Sequence, residues 1–180
     1  MLVKCWATKR GIYNFNLGYL NGISIMVLVA RALVDFYRPD NVHFWSKYLN
    51  GDYSSLRQAI IEHFFDMYAE WSWCGQSFDE RVIFLTHPDD YLRSSPDCDS
   101  CTREAIEHSL GQSMMSNMVI LSPSVPFRGT VPQMTTSCRN KIIKEFKIAK
   151  RNIYLAKARY PELNFQKMPT RKNKVVSEVD

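Results

Sequence analysis

The densest group of reactive side chains in the sequence is Asp97-Cys98-Asp99-Ser100-Cys101. Two carboxylates at i and i+2 project from one face of a strand and can then hold paired divalent ions for nucleotidyl transfer. Here they follow Ser94-Ser95-Pro96 in a polar stretch with no apolar strand beneath them, so a metal role is not expected. Asp89-Asp90 has the same weakness. Cys98 and Cys101 make a C-x-x-C, but zinc takes about four ligands and no second pair follows. His108 or Cys138 would have to be recruited from elsewhere. A dithiol redox pair belongs at a helix start within an α/β pattern, which is lacking here. A polar loop is the reading these residues favour. His43, His63 and His87 stand apart from one another, and His63 falls in an amphipathic segment where packing is its ordinary role. No Gly-x-Ser-x-Gly and no P-loop occurs.

The elements that would have to position a site read as mostly helical. Residues 1–10 read as the tail of a helix punctuated by Gly11, and 14–21 as a loop containing Gly18. From Gly22 to about Phe36 the apolar positions run nearly all round, which predicts a helix buried on most sides and ended by Arg38-Pro39-Asp40-Asn41. A second helix is expected from an N-cap at Ser54 or Ser55 to Trp71, with Leu56, Ile60, Phe64, Met67 and Trp71 on one face. Arg81 to Thr86 is short, β-branched and aromatic, a strand pattern. His87 to Thr102 reads as a polar loop and Thr102 to about Ser116 as a weaker helix. Met118 to Gln133, with three prolines, reads as an extended connector. Thr136 or Ser137 can cap a last helix reaching about Arg159. That helix carries Ile142, Phe146, Ala149, Ile153 and Ala156 in one stripe, lysines opposite, and Pro161 as its stop. No internal repeat is present.

With 180 residues, 46% hydrophobic and 13% aromatic, the chain can build a packed core. Its net charge of +5 is unevenly spread. Residues 66–107 carry ten acidic against three basic side chains, and residues 139–174 carry twelve basic against two acidic. The basic end suits an anionic partner such as a nucleic-acid backbone, or else is a solvated lysine face. The longest apolar run, Gly22 to Ala30, is nine residues, against about 20 for a membrane span. No membrane partner and no secretory leader is expected. Cys5, Cys74, Cys98, Cys101 and Cys138 are odd in number and scattered, which points to a reduced intracellular compartment.

One stretch is far more specific than these. KCWATKRGIYNFNLGYLNGISIMVLVAR, Lys4 to Arg31, resembles the central domain of eukaryotic poly(A) polymerases. The resemblance is carried by Trp6-Ala7, Lys9-Arg10, Ile12-Tyr13, Leu17-Gly18, Gly22, Ser24 and Leu28-Val29-Ala30-Arg31. Two more stretches agree in order: His63 to Trp73, HFFDMYAEWSW, and Met118 to Phe146, which ends in Glu145-Phe146. Residues 75–117 are unlike the family and read as an insertion.

The resemblance implies a mainly α fold with minor β. It places the helical central domain at 1–148 and the end of a helix leading toward a truncated RNA-binding region at 149–168. Residues 169–180, charged and without apolar period, read from composition as a disordered tail. The resemblance also implies a function, the addition of AMP from ATP to RNA 3′ ends in mRNA polyadenylation, in the nucleus, with pre-mRNA 3′-processing factors as further partners. Four positions match residues that face ATP in the family: Lys4 at the phosphates, Tyr13 beside it, and the Gly22-Ile23 pair whose backbone approaches the nucleotide. Physical chemistry agrees, since lysine is a compact point charge, glycine admits close approach, and a helix N-terminus favours anions. Asn14-Phe15 stands where the family has serine–asparagine, and Asn21 stands where it has the first of two glycines. The aspartates that hold Mg2+ (or Mn2+) belong to a domain upstream of these stretches, so no catalytic and no metal-binding residue is expected here. The chain reads as a truncated product, inactive alone. The competing reading is a non-catalytic paralogue that binds RNA or protein, or an inactive fragment.

Overall fold

The computed structural model describes residues 2–37, 53–73, 75, 77–94, 98, 99, 102–111 and 118–159. Helix α1 spans Leu2–Lys9 and stops at Gly11, whose φ of 65° is open to glycine. The N–H of Ile12 reaches the Ala7 carbonyl at 3.0 Å and that of Gly11 reaches Thr8 at 3.1 Å. These are the two bonds of a Schellman stop, and its apolar contact is supplied by Ala7 and Ile12, both fully buried. The chain then makes a 3-10 turn at Phe15–Leu17 and returns beside itself through a Tyr13–Leu20 bridge. Helix α2 is Gly22–Phe36, and α3 is Tyr53–Glu70. Short helix α4, Phe78–Arg81, leads into strand β1, Val82–Ile83. Helices α5, Pro88–Ser94, and α6, Arg103–Leu110, follow. Strand β2 is Val119–Ile120, and α7 is Thr136–Arg159. The fold is mainly α.

The main core lies between α1, α2, α3 and α7. Its centre is Phe146, fully buried and stacked on Trp73 at 6.2 Å with an interplanar angle of 8°. Tyr68 lies 5.5 Å away and Trp6 5.4 Å away. Tyr68 also donates to the Leu28 carbonyl at 2.7 Å, tying α3 to α2, and burial pushes its hydroxyl pKa far up. All three stretches that carry the family resemblance supply rings to this cluster.

β1 and β2 pair in parallel, Val82 with Val119 and Ile83 with Ile120. Alternate side chains of a strand face opposite ways. Ile83 and Ile120 enter the main core. Val82, Phe84, Val119 and Leu121 enter a second, smaller core with Phe78, Ile106, Leu110 and Phe127. The pair is thus a partition between two cores.

Several expectations change. Helix α3 starts at Tyr53, so Ser54 and Ser55 lie in its first turn rather than at its cap. Its deepest face is Phe64, Phe65, Tyr68 and Ala69, because the aromatic rings, not Leu56 and Ile60, meet Phe146. The polar loop expected at 87–102 contains α5. The Asp89 N–H donates to the His87 imidazole at 3.2 Å, which caps that helix. The expected strand at 81–86 is two residues long, preceded by α4, which has a Ser77–Glu80 capping box. Thr135 caps α7, accepting from the Cys138 N–H at 3.2 Å. Ala156 in the α7 stripe is exposed, since α7 outruns the core there. Nor is α2 buried all round: Ile23, Met26 and Val34 are 51%, 64% and 54% exposed. Cys98 is disulfide-bonded, which departs from the expectation of reduced cysteines. The stop at 38–41, His43, Cys74, Asp97, Cys101, Pro161 and the tail at 169–180 lie outside the described residues.

Candidate functional site

Lys4 and Tyr13 come from opposite sides of the Gly11 stop. The Lys4 Nζ lies 5.1 Å from the centroid of the Tyr13 ring, close enough for a cation–π contact. Lys4 is exposed and Tyr13 half-buried, so the ring is anchored in the core while the ammonium faces solvent. Gly22 lies beside the Tyr13 hydroxyl. A Cβ added there would stand 3.7 Å from the Tyr13 hydroxyl, an ordinary contact. Glycine at 22 therefore leaves an open side rather than relieving a clash. Ile23 follows with its side chain half exposed. The structure thus brings Lys4, Tyr13 and Gly22 together, with Ile23 exposed beside them.

The start of α2 is held rigidly. Asn21 caps it, its side-chain oxygen accepting from the Ser24 N–H at 2.8 Å, while Ser24 Oγ accepts from the Asn21 N–H at 2.8 Å. The Ile25 N–H donates to the Asn21 carbonyl at 3.1 Å. Of the first four helical N–H groups, those of Gly22 and Ile23 make no hydrogen bond among the described residues. They stand at the positive end of a 15-residue helix. Asn21 Nδ2 also donates to the Thr130 carbonyl at 2.7 Å, fixing the helix start to the segment after β2. The departure at 21 therefore adds a cap and a tether. The sequence signal for it is Asn21-x-x-Ser24, a capping-box spacing.

The loop between α1 and α2 is pressed onto the start of α7. Gly18 has φ of 73°, and a Cβ there would come within 2.5 Å of the Gln133 carbonyl oxygen. Cys138 Sγ approaches the Leu17 carbonyl at 3.3 Å. Arg10 Nε donates to the buried carboxylate of Glu145 at 2.5 Å, and this bond holds the guanidinium pKa above its ordinary value. Nothing in the spacing of these two residues signals their pairing. Asn14 makes no side-chain cap bond; its carbonyl accepts from the Tyr19 N–H at 3.0 Å.

Among the described residues no group of three or more His, Cys, Asp or Glu gathers in metal-binding proximity. No described helix is long and apolar enough to cross a membrane. Asp99 is exposed. His63 faces Asp35 at 3.2 Å and Phe36 at 5.3 Å, a packing position.

Comparison with known proteins gives a partial relationship. A poly(A) polymerase of Entamoeba histolytica is 37% identical over 71 residues, 39% of this chain and 10% of that protein. Nuclear poly(A) polymerase 2 of Arabidopsis thaliana is 31% identical over 71 residues, 39% of this chain and 7% of that protein. No protein-family model matches. The chain is therefore poly(A) polymerase-like over part of its length, and the shared stretch spans a tenth or less of either relative.

Proposed function

We propose that this chain is the nucleotide-facing central part of a poly(A) polymerase, contributing to AMP transfer from ATP to RNA 3′ ends. The observation that carries the reading is the meeting of Lys4, Tyr13 and Gly22 at the start of α2, from positions up to 18 residues apart in the sequence. In this reading Lys4 neutralises the triphosphate as a point charge. The free N–H groups of Gly22 and Ile23 face a phosphate or base oxygen. The Tyr13 ring holds the ammonium in place, and the exposed Ile23 side chain gives the base an apolar contact. The Asn21 cap fixes these donors before the nucleotide arrives, so little ordering is left for binding.

Divalent ions supply charge neutralisation and nucleophile activation in such transfers. The described residues offer no cluster to hold them, and no step through a metal is assigned to this chain. Nuclear localisation and contact with 3′-processing factors belong to the same proposal.

The test is ATP titration of the chain by calorimetry. Lys4→Ala is expected to weaken binding about tenfold, the scale of one charge-assisted contact. Tyr13→Ala is expected to do so by less. Unchanged ATP affinity in both variants would remove the site assignment. AMP incorporation into an RNA primer by the purified 180-residue chain would show that catalytic carboxylates lie within it, against this proposal.

A further inference from the structure

We infer that one face of α7 is a docking surface for the backbone of single-stranded RNA, separate from the Lys4–Tyr13 site. The choice of RNA over other polyanions rests on the polymerase reading; the surface itself does not.

The lysines and arginines of α7 are sorted by face. Toward α3 they are paired. Lys150 Nζ meets Glu70 at 3.1 Å and Asp66 at 3.6 Å, and its pKa is raised, chiefly by the Glu70 bond. Lys157 meets Glu62. Lys141 is also engaged, donating to the Gly11 carbonyl at 3.3 Å. Lys144, Lys147 and Arg151 are different: among the described residues they have no acidic partner.

With Asn140, these three fall at spacings of four, three and four. At 3.6 residues per turn they share an arc of about 60° and cover roughly 16 Å of helix. Together with Ile143 and Ile148 they line an open depression of about 420 Å³. The cations thus run down the middle of the face, with Ile143 and Ile148 on its two sides and one amide at its end. The flanks offer aliphatic rather than aromatic contact, so bases have no stacking platform and binding should be indifferent to sequence.

Residues 38–52 carry Arg38 and Lys47 against Asp40 and Asp52, and residues 112–117 carry no charge. Beyond Arg159, Lys167, Arg171, Lys172 and Lys174 stand against Glu162, Glu178 and Asp180, a net positive balance. An external polyanion complements the stripe.

The experiment is fluorescence anisotropy of the full chain with a short labelled single-stranded RNA over a range of salt. Affinity should fall steeply with salt and be the same for different base compositions. The Lys144→Ala, Lys147→Ala, Arg151→Ala triple variant should flatten the log–log salt slope by about 2, at roughly 0.7 per single-strand phosphate released. Its ATP affinity should stay at the wild-type value, whereas Lys4→Ala should weaken ATP binding about tenfold and keep RNA. Lys147→Glu alone provides a second variant should the triple melt early. An unchanged salt slope in both variants overturns the proposal. So does a poly-glutamate peptide displacing RNA at lower concentration than unlabelled RNA does, which would make the face a protein-docking surface. RNA binding that survives where ATP binding is absent would sink the polymerase reading and leave this one standing.

Discussion

The two cores on either side of the β1–β2 pair are built differently. The main core draws on residues from Ala7 to Phe146 and is centred on stacked rings. The second core draws on Phe78 to Phe127, a local stretch whose helices α4, α5 and α6 are eight residues or fewer. Short helices gain little from propensity, so they depend on the shared core for stability. Everything at the candidate nucleotide site hangs from the main core. The segment that follows Phe127 of the second core reaches that site through the Asn21–Thr130 bond at 2.7 Å. The difference teaches that the stretch 75–117, which the sequence reads as an insertion, is not a detachable loop in its described residues. They supply one strand of the partition and with it Ile83 of the main core.

The comparison breaks most directly at Phe146. Truncating a buried phenylalanine costs about 3–5 kcal/mol, and Phe146→Ala also removes the ring shared by Trp73, Tyr68 and Trp6. It should unfold both cores together in urea. Ile106→Ala, within the second core, should cost less, about 2–3 kcal/mol. It should expose the amides of α6 to hydrogen exchange while those of α2 stay protected. Equal exchange in the two regions would show that they unfold as one unit.

Next comes the clamp between the α1–α2 loop and α7. Gly18→Ala sets a Cβ 2.5 Å from the Gln133 carbonyl oxygen at a φ of 73°. A left-handed non-glycine residue costs about 1–3 kcal/mol before the clash is counted. The variant should lower Tm and weaken ATP binding together, since the same loop carries Tyr13. Loss of stability with ATP affinity intact would separate the loop from the site.

How far the sequence could be read follows the same division. Most of the main core's elements are announced: Gly11 and Gly22 mark the helix boundaries, and Ile142 and Phe146 lie on the stripe expected of α7. The grouping of Lys4, Tyr13 and Gly22 was reached through resemblance, because their spacing matches no helical or strand period. The Arg10–Glu145 pair spans 135 positions, and no local pattern can encode such a contact. In the second region the cues were present but faint. Ser77-x-x-Glu80 is a capping box. Pro88 followed by Asp89 and Asp90 is a helix start with acids in its first turn. Two-residue strands are too short to show alternation, so their parallel pairing emerges only from the packing.

A smaller effect probes the link between the regions. Asn21→Ala removes the α2 cap and the Thr130 tether, and cap loss typically costs about 1 kcal/mol. Asn21→Ser should recover the cap but not the tether. If the tether matters for the nucleotide, the serine variant restores most of the stability without restoring ATP affinity. Full recovery of both would leave the second core with no part in the site.

The smallest effect lies in the second region alone. The Asp79 carboxylate is held below its usual pKa, first by a hydrogen bond from His87 at 3.0 Å and then by Arg103 at 3.3 Å. His87 also faces Asp89 at 3.4 Å. A depressed folded-state pKa means the ionised form favours the fold. The contribution is therefore complete above the unfolded-chain value, about 3.9 for Asp. It is lost as pH falls from there through the lower folded-state value. Half of the Asp79 side chain is exposed, so solvent screening keeps the effect slight. Asp79→Asn should flatten the acid limb of the stability curve without moving the plateau at neutral pH by more than a fraction of the Phe146→Ala loss. An acid limb equally steep in both proteins would place the titrating carboxylate elsewhere.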